Sequence, residues 1–109
     1  MVTHNLSKLV PEIVWCKTSF EQSRGLLFRK KTCCVFEFPV ERKAPIHMIG
    51  VFYPIDVFWL DSNMRVVDMK KRVLPFTPIV YHKGKAKYIV EFPTGTSHKI
   101  SLMDTINIK

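Results

Sequence analysis

Apolar residues in this chain fall into short runs broken by prolines, glycines and polar turns, a rhythm of strands rather than long helices. Ile55 to Leu60 (IDVFWL) is almost continuously apolar. A polar Asp61-Ser62-Asn63 turn follows, and a return strand runs from Arg65 to Arg72, so the stretch reads as a hairpin. Further strands are predicted at Glu12–Lys17, at Cys33–Phe38 with apolar groups on both faces, and at Lys87–Phe92. Two more fall at Pro45–Ile49 and Asp104–Ile108. Ser19 and Gln22 form a capping-box pattern closed by Gly25, which predicts one short helix near residues 19–24. Pro39–Ala44 reads as a charged loop. Leu74-Pro-Phe-Thr-Pro-Ile reads as a loop with Leu74 and Phe76 as apolar plugs, and a helical segment ending near Leu102 follows Thr96 or Ser97. Some seven short strands with little helix predict a mainly-β fold, a compact β-sandwich or partly closed barrel.

The 109 residues fit one domain spanning 1–109, and 47% apolar with 24% charged residues is the composition of a globular protein. The first residues lack the apolar core of a signal peptide, and no apolar run reaches the roughly 18–20 residues needed to cross a bilayer. A cytoplasmic location with no membrane partner is therefore expected. Cys16, Cys33 and Cys34 are an odd number, which argues against a disulfide framework. Cys33 and Cys34 are sequence neighbours, so on a strand they face opposite ways and serve as small apolar fillers. Arg29, Lys30 and Lys31 upstream offer a competing reading, a stabilised thiolate.

The net charge of +8 favours anionic partners. The cations are spread over the chain, with Lys70-Lys71-Arg72 and the alternating Lys83, Lys85 and Lys87 as the groups that would serve nucleic acid. No aromatic RNA-binding pattern, recognition helix or zinc finger accompanies them, so a solvated face is the simpler account. No nucleotide-binding glycine loop, nucleophile elbow or metal-ligand spacing is present, and neither metal nor cofactor is expected.

Asp56 stands out because it lies inside an apolar run, where an ionised carboxylate must be paired or hydrogen-bonded. Backbone N–H groups of the Gly50–Pro54 turn, or Arg24 or Arg29, would satisfy it. His47, between Ile46 and Met48, points either to solvent or into a pocket. The aromatic residues Trp15, Phe38, Phe52, Phe58 and Trp59 read mostly as core, with an exposed Phe52-Tyr53 pair as the alternative binding surface.

Several segments, taken in order, resemble the uncharacterised prokaryotic family known as domain of unknown function 192. They are Ser23-Arg24-Gly25-Leu26-Leu27-Phe28-Arg29, His47-Met48, Tyr53-Pro54-Ile55-Asp56-Val57, Leu60-Asp61-Ser62-Asn63-Met64-Arg65-Val66-Val67 and Val90-Glu91-Phe92-Pro93-Thr94-Gly95. They match the family's Arg-Gly-Leu-Met-Phe-Arg box, its aromatic-Met strand and its Pro-Leu-Asp-Ile step. The last two match its Asp-x-x-Gly-x-Val-Val turn and its Glu-Leu-Pro-Ala-Gly segment. The resemblance covers about residues 14–108 and implies a compact, mostly-β domain without an established activity. The family's Trp-Met-Lys-Asn-Thr-like stretch is replaced by Ile46-His47-Met48-Ile49-Gly50, and its late Gly-Asp by Met103-Asp104.

The sequence thus points to an accessory binding domain for a small anionic ligand or a partner protein. Its expected site is a pocket around His47, Tyr53 and Asp56, with Arg24 and Arg29 as cations. Two other readings compete: a small enzyme with Asp56 and His47 as acid and base, and a sequence-nonspecific nucleic-acid binder using Lys70 to Arg72 and Lys83 to Lys87.

Overall fold

A computed structural model describes residues 2–10, 12–16, 33–48, 52–95 and 99–108. The helix expected near residues 19–24, together with Arg24 and Arg29, lies outside the described residues. Among the described residues seven strands and one short helix follow in the order β1 (Thr3–Asn5), α1 (Leu6–Leu9), β2 (Ile13–Cys16), β3 (Cys33–Arg42), β4 (Ile55–Leu60), β5 (Val66–Val73), β6 (Ala86–Pro93) and β7 (Thr105–Asn107). Five strands form one sheet in the order β2-β3-β6-β4-β5, and β1 pairs with β7 in a second, two-stranded sheet. The fold is mainly β and sandwich-like, as expected. Among the described residues β2 and β5 remain as sheet edges, so this arrangement is open rather than a closed barrel.

Strands β3, β4 and β6 are hydrophobic on both faces because both faces are covered. One face carries Phe58, Leu60, Val90 and Phe92 against Leu6, Ile100, Ile106 and Ile108. The other carries Cys34, Phe36, Val57, Trp59 and Ile89 against Ala44, Met48, Val73 and Val80. Burying each such large apolar side chain stabilises the fold by roughly 1.5–3 kcal/mol. Cys33 and Cys34 fall on opposite faces and are buried in both cases. Trp15, expected in the core, is 43% exposed because it lies on the edge strand β2.

Three elements differ from the sequence reading. β3 continues through the segment expected to be a charged loop, although its pairing with β6 lapses between Glu37 and Arg42. Pro39 lies within that gap and has no N–H to donate. Of the strand expected at Pro45–Ile49, the described residues 45–48 contribute a single bridge, Ile46 to Val80, and Ile49 lies outside the described residues. Residues 99–103 run as turns, not as the end of a helix. The parallel β1–β7 pairing and the one-turn helix α1 carry no sequence signal. One joins the two ends of the chain, and the other is too short to show a period.

The second layer is tied down by Asp104, a buried carboxylate. It accepts hydrogen bonds from Val2 N (3.1 Å), Ser101 N (3.0 Å) and His4 Nε2 (2.9 Å). These donors, led by His4, pull its carboxyl down to about 2. A second clasp joins the other face. Trp59 Nε1 donates to Ala44 O (2.9 Å), while Ala44 N donates to His82 Nε2 (2.8 Å), and the imidazole stacks on the indole at 4.8 Å. His82 Nδ1 therefore holds the ring proton and donates to Lys83 O (3.0 Å). Burial lowers the pKa of this imidazole, favouring the neutral form the clasp requires.

Two turns explain where the chain departs from the family pattern. In the β4–β5 hairpin, Asp61 Oδ1 accepts from Asn63 N (2.9 Å) and Arg65 N (3.0 Å), an Asx turn. Met64 then sits at φ 63°, where the family pattern has glycine. Met103, at the family's other glycine, sits at φ 69°. The glycine-type turn before Asp104 is thus kept without its glycine, and its side chain is strained in the left-handed region. Because Met103 is exposed, Met103→Gly loses little burial. This substitution should stabilise the protein by about 0.5–1 kcal/mol, read as a rise of a few degrees in Tm by calorimetry.

Candidate functional site

The edge strand β5 carries an irregularity beside a groove. Ile55 pairs with Val73 and Val57 with Lys70, so Asp56 alone on β4 faces both Lys71 and Arg72 on β5. The extra residue is a β-bulge, with Arg72 at φ 53°. Arg72 N–H donates to Asp56 Oδ1 (2.8 Å), and Thr94 Oγ1 donates to the same oxygen at 3.3 Å. Asp56 is 2% exposed, so its carboxylate is a built-in acceptor for the bulge. The sequence required donors for it, from the Gly50–Pro54 turn or from Arg24 or Arg29; Gly50, Arg24 and Arg29 lie outside the described residues, and Arg72 N–H and Thr94 Oγ1 are donors it did not name.

Beyond the bulge, a groove of about 470 Å³ opens between the end of β5 and residues 74–81. Lys70, Lys71 and Arg72 line it together with Leu74, Thr77, Ile79, Val80 and Tyr81. Part of this lining is knitted to the segment containing His47 by backbone bonds. Ile46 and Val80 exchange two of these, Met48 N donates to Thr77 O (2.8 Å), and Phe76 N donates to Met48 O (2.9 Å). Leu74 and Phe76, expected to be buried plugs, are 58% and 51% exposed. Phe76, held at φ 62°, packs edge-on against the exposed Phe52 at 5.1 Å, so the aromatic surface expected at Phe52-Tyr53 forms with Phe76 instead.

The remaining expected residues are dispersed. Tyr53 is half-buried against the apolar cluster of Val57 and Trp59. His47 is exposed on a segment covering that same face, whereas strand alternation sets Asp56 on the opposite face, beside Phe58 and Phe92. Of Lys83, Lys85 and Lys87, only Lys87 lies within a strand, β6. Gly84 (φ 74°) bends the chain before β6, and Lys87 Nζ lies 3.8 Å from Glu37. Glu41, held by Ser62 N and Oγ and drawn down by Lys85 and Lys87, is a further anion beside them. No three His, Cys, Asp or Glu side chains gather as metal ligands among the described residues.

The sequence reading missed the groove's apolar lining because exposure of Ile79 and Tyr81 depends on tertiary packing. It also missed Glu91, although a carboxylate inside the apolar strand Tyr88–Phe92 carries the signal that drew attention to Asp56. Glu91 is 2% exposed between Cys34 and Val57, and its Oε1 has no hydrogen-bond partner among the described residues. Burial alone pushes its carboxyl up to about 8, so the neutral acid prevails at neutral pH. Burial, with Glu91 nearby, pushes the Cys33 thiol up to about 12, which removes the thiolate reading for this residue.

These features define a mainly-β, sandwich-like domain with a cationic groove on one edge. The chain belongs to the domain of unknown function 192 family, described as "Uncharacterized ACR", whose model matches residues 2–108. It is 42% identical over 84 residues to a UPF0127 protein of Thermococcus kodakarensis, covering 72% of this chain and 51% of that protein. It therefore spans about half the length of that relative. The fold is similar to that of a protein of unknown function from Novosphingobium aromaticivorans (TM-score 0.72, 21% identity), covering 80% of this chain and 66% of that one. A structure from Sinorhizobium meliloti is also similar (TM-score 0.76, 17% identity, 84% and 76% covered). At these identities the two structures speak to the fold alone. No helix among the described residues is long and apolar enough to cross a membrane.

Two outcomes follow from the buried carboxyls. Asp56→Ala leaves the Arg72 N–H without its acceptor and should cost about 1–3 kcal/mol in urea unfolding, whereas Asp56→Asn, which retains an oxygen, costs less. Glu91 is neutral when folded and ionises readily when unfolded, so its stabilising contribution is complete below about pH 4.5 and is lost as pH rises through about 8. Glu91→Gln should remove that decline, with the gain over wild type growing by roughly 3–5 kcal/mol across this window. A pH series of urea titrations on both proteins measures it.

Proposed function

We propose that this domain binds a small anionic ligand in the groove between β5 and residues 74–81. The observation that carries this reading is the run Lys70-Lys71-Arg72 in the lining of an open depression of about 470 Å³. Each of these side chains is exposed.

The residues expected from the sequence then act mainly as supports. Asp56 holds the bulge at Lys71 and Arg72 through the Arg72 N–H, and the segment around His47 braces Val80 and Thr77 of the lining. Tyr53 lies in the packing beneath that segment, and Arg24 and Arg29 stay as candidate cations from the family box. An acid–base pair of Asp56 and His47 gains no support from this layout, since one is buried on one face and the other exposed over the other. The lysines at 83, 85 and 87 have Glu37 and Glu41 beside them, which favours a compact ligand over an extended nucleic-acid strand.

Thermal unfolding with sulfate, pyrophosphate, citrate and a single-stranded oligonucleotide tests this reading. At low salt at least one small anion should raise Tm by several degrees in a saturable way, and high salt should erase the effect. The double variant Lys70→Glu/Lys71→Glu should fold normally and lose the response. No response in the wild-type protein, or an equal one in the variant, rejects the proposal. Binding of the oligonucleotide without any small anion reassigns the groove to nucleic acid.

A further inference from the structure

Segments 44–48 and 74–82 cover Trp59, which is 0% exposed, yet neither holds a strand and they share a single bridge, Ile46 to Val80. Backbone bonds tie the two segments to each other. Ile46 and Val80 exchange two, Met48 N donates to Thr77 O, and Phe76 N donates to Met48 O. The polar tie to β4 is of another kind. It runs through Ala44, whose carbonyl accepts from Trp59 Nε1 (2.9 Å) and whose N–H donates to His82 Nε2 (2.8 Å). The His82 ring lies on the indole, with 4.8 Å between centroids and 18° between planes. The backbone bonds within the paired segments need no titratable side chain, whereas this tie does.

The geometry admits one protonation state of the ring. Nδ1 carries its proton towards Lys83 O (3.0 Å), so Nε2 offers its lone pair to the Ala44 N–H. A second proton would set two donors, Nε2–H and Ala44 N–H, against each other at 2.8 Å. Ala44 is 4% exposed, so its N–H would lose its acceptor while still buried, which is costly. Burial opposes a charge on this ring most strongly. The Lys83 carbonyl and, from β5, Asp68 favour it, whereas Lys43, whose Nζ donates to His82 O (3.4 Å), opposes it. From β4 the ring meets the face of Trp59, which attracts a cation. The balance lies against the imidazolium. The tie therefore holds in full above the ordinary histidine value of 6.5 and weakens as pH falls below it.

We propose that His82 is a proton-operated latch: a proton taken up from solvent at Nε2 breaks the bond to Ala44 N–H and frees the paired segments 44–48 and 74–82 to lift from Trp59. Because the two segments stay bonded to each other, they move as a unit rather than unravel. Thr77, Ile79, Val80 and Tyr81 of the groove lining belong to that unit, so acid reaches the groove through His82. The latch depends on nothing that the groove binds.

Hydrogen exchange resolved residue by residue by NMR, from about pH 7 down to about pH 5, tests the latch. Glu91, which pairs with Cys34 and Val57 on the same sheet face, stays the neutral acid over this range. Ring nitrogen shifts should show His82 as the Nδ1–H tautomer at the upper end, read separately from His4 and His47. Protection of Ala44 N–H and Trp59 Nε1–H, corrected for the intrinsic pH dependence of exchange, should fall by up to about tenfold per pH unit below 6.5. Ile106 N–H, bonded to Met64 O (2.9 Å) in the opposite layer, should show no such fall. His82→Gln keeps an acceptor but cannot titrate, and should abolish the fall at both sites, with circular dichroism checking its fold. An Nε2–H tautomer, flat protection at Ala44 and Trp59, an equal fall at Ile106, or a fall that survives in folded His82→Gln each overturns the latch. Should that variant not fold, the tautomer and the comparison with Ile106 decide the matter in the wild-type protein.

Discussion

The interior strands β4 and β6 are buried on both faces, and nearly every other feature answers that constraint. A strand with two apolar faces needs two covering layers, one from the chain ends and one from the irregular segments 44–48 and 74–82. The first layer is fastened by Asp104 and the parallel β1–β7 pair, which joins the two ends of the chain. The second is fastened by Ala44, whose N–H and carbonyl are both taken by side chains, His82 and Trp59. In each case a polar group taken out of water is matched to a partner, and the match also fixes a segment that has no regular structure of its own.

Buried carboxyls divide by how they meet this requirement. Asp104 gathers three donors and stays ionised, whereas Asp56 takes Arg72 N–H and Thr94 Oγ1 and holds the bulge of the edge strand. Glu91 is driven towards the neutral acid by burial alone. The bulge matters beyond local geometry. It turns a lysine-rich edge, which would otherwise discourage pairing with other strands, into part of the lining of a groove. Support and surface are therefore coupled, since the acceptor in the core shapes the cationic rim outside.

Much of this was legible in particular residues. The run Ile55–Leu60, its Asp61-Ser62-Asn63 turn and the return strand declared the hairpin. The double-faced apolar pattern of Cys33–Phe38 declared a covered strand, and the lone Asp56 declared a need for donors. The boxes running from Ser23 to Gly95 resembled the family whose membership the comparisons showed. What stayed illegible depended on partners distant in sequence. Leu74 and Phe76 look like plugs until Phe76 N is seen to donate to Met48 O and Leu74 O to accept from Thr77 of its own loop, with both side chains left exposed. Trp15 looks like core until its strand proves to be an edge.

Sequence alone determined the mainly-β class, the hairpin and the family, because alternation and turn chemistry act between near neighbours. It also determined that Asp56 could not stand unsupported, since the cost of a buried charge is independent of the fold. Only the tertiary structure decided which donor meets that aspartate, and that Met64 and Met103 occupy glycine-type backbone. It alone brought Lys70, Lys71 and Arg72 into the lining of one groove with Leu74, Ile79 and Tyr81. Those outcomes are set by register and by the packing of remote segments, which the order of residues along the chain does not express.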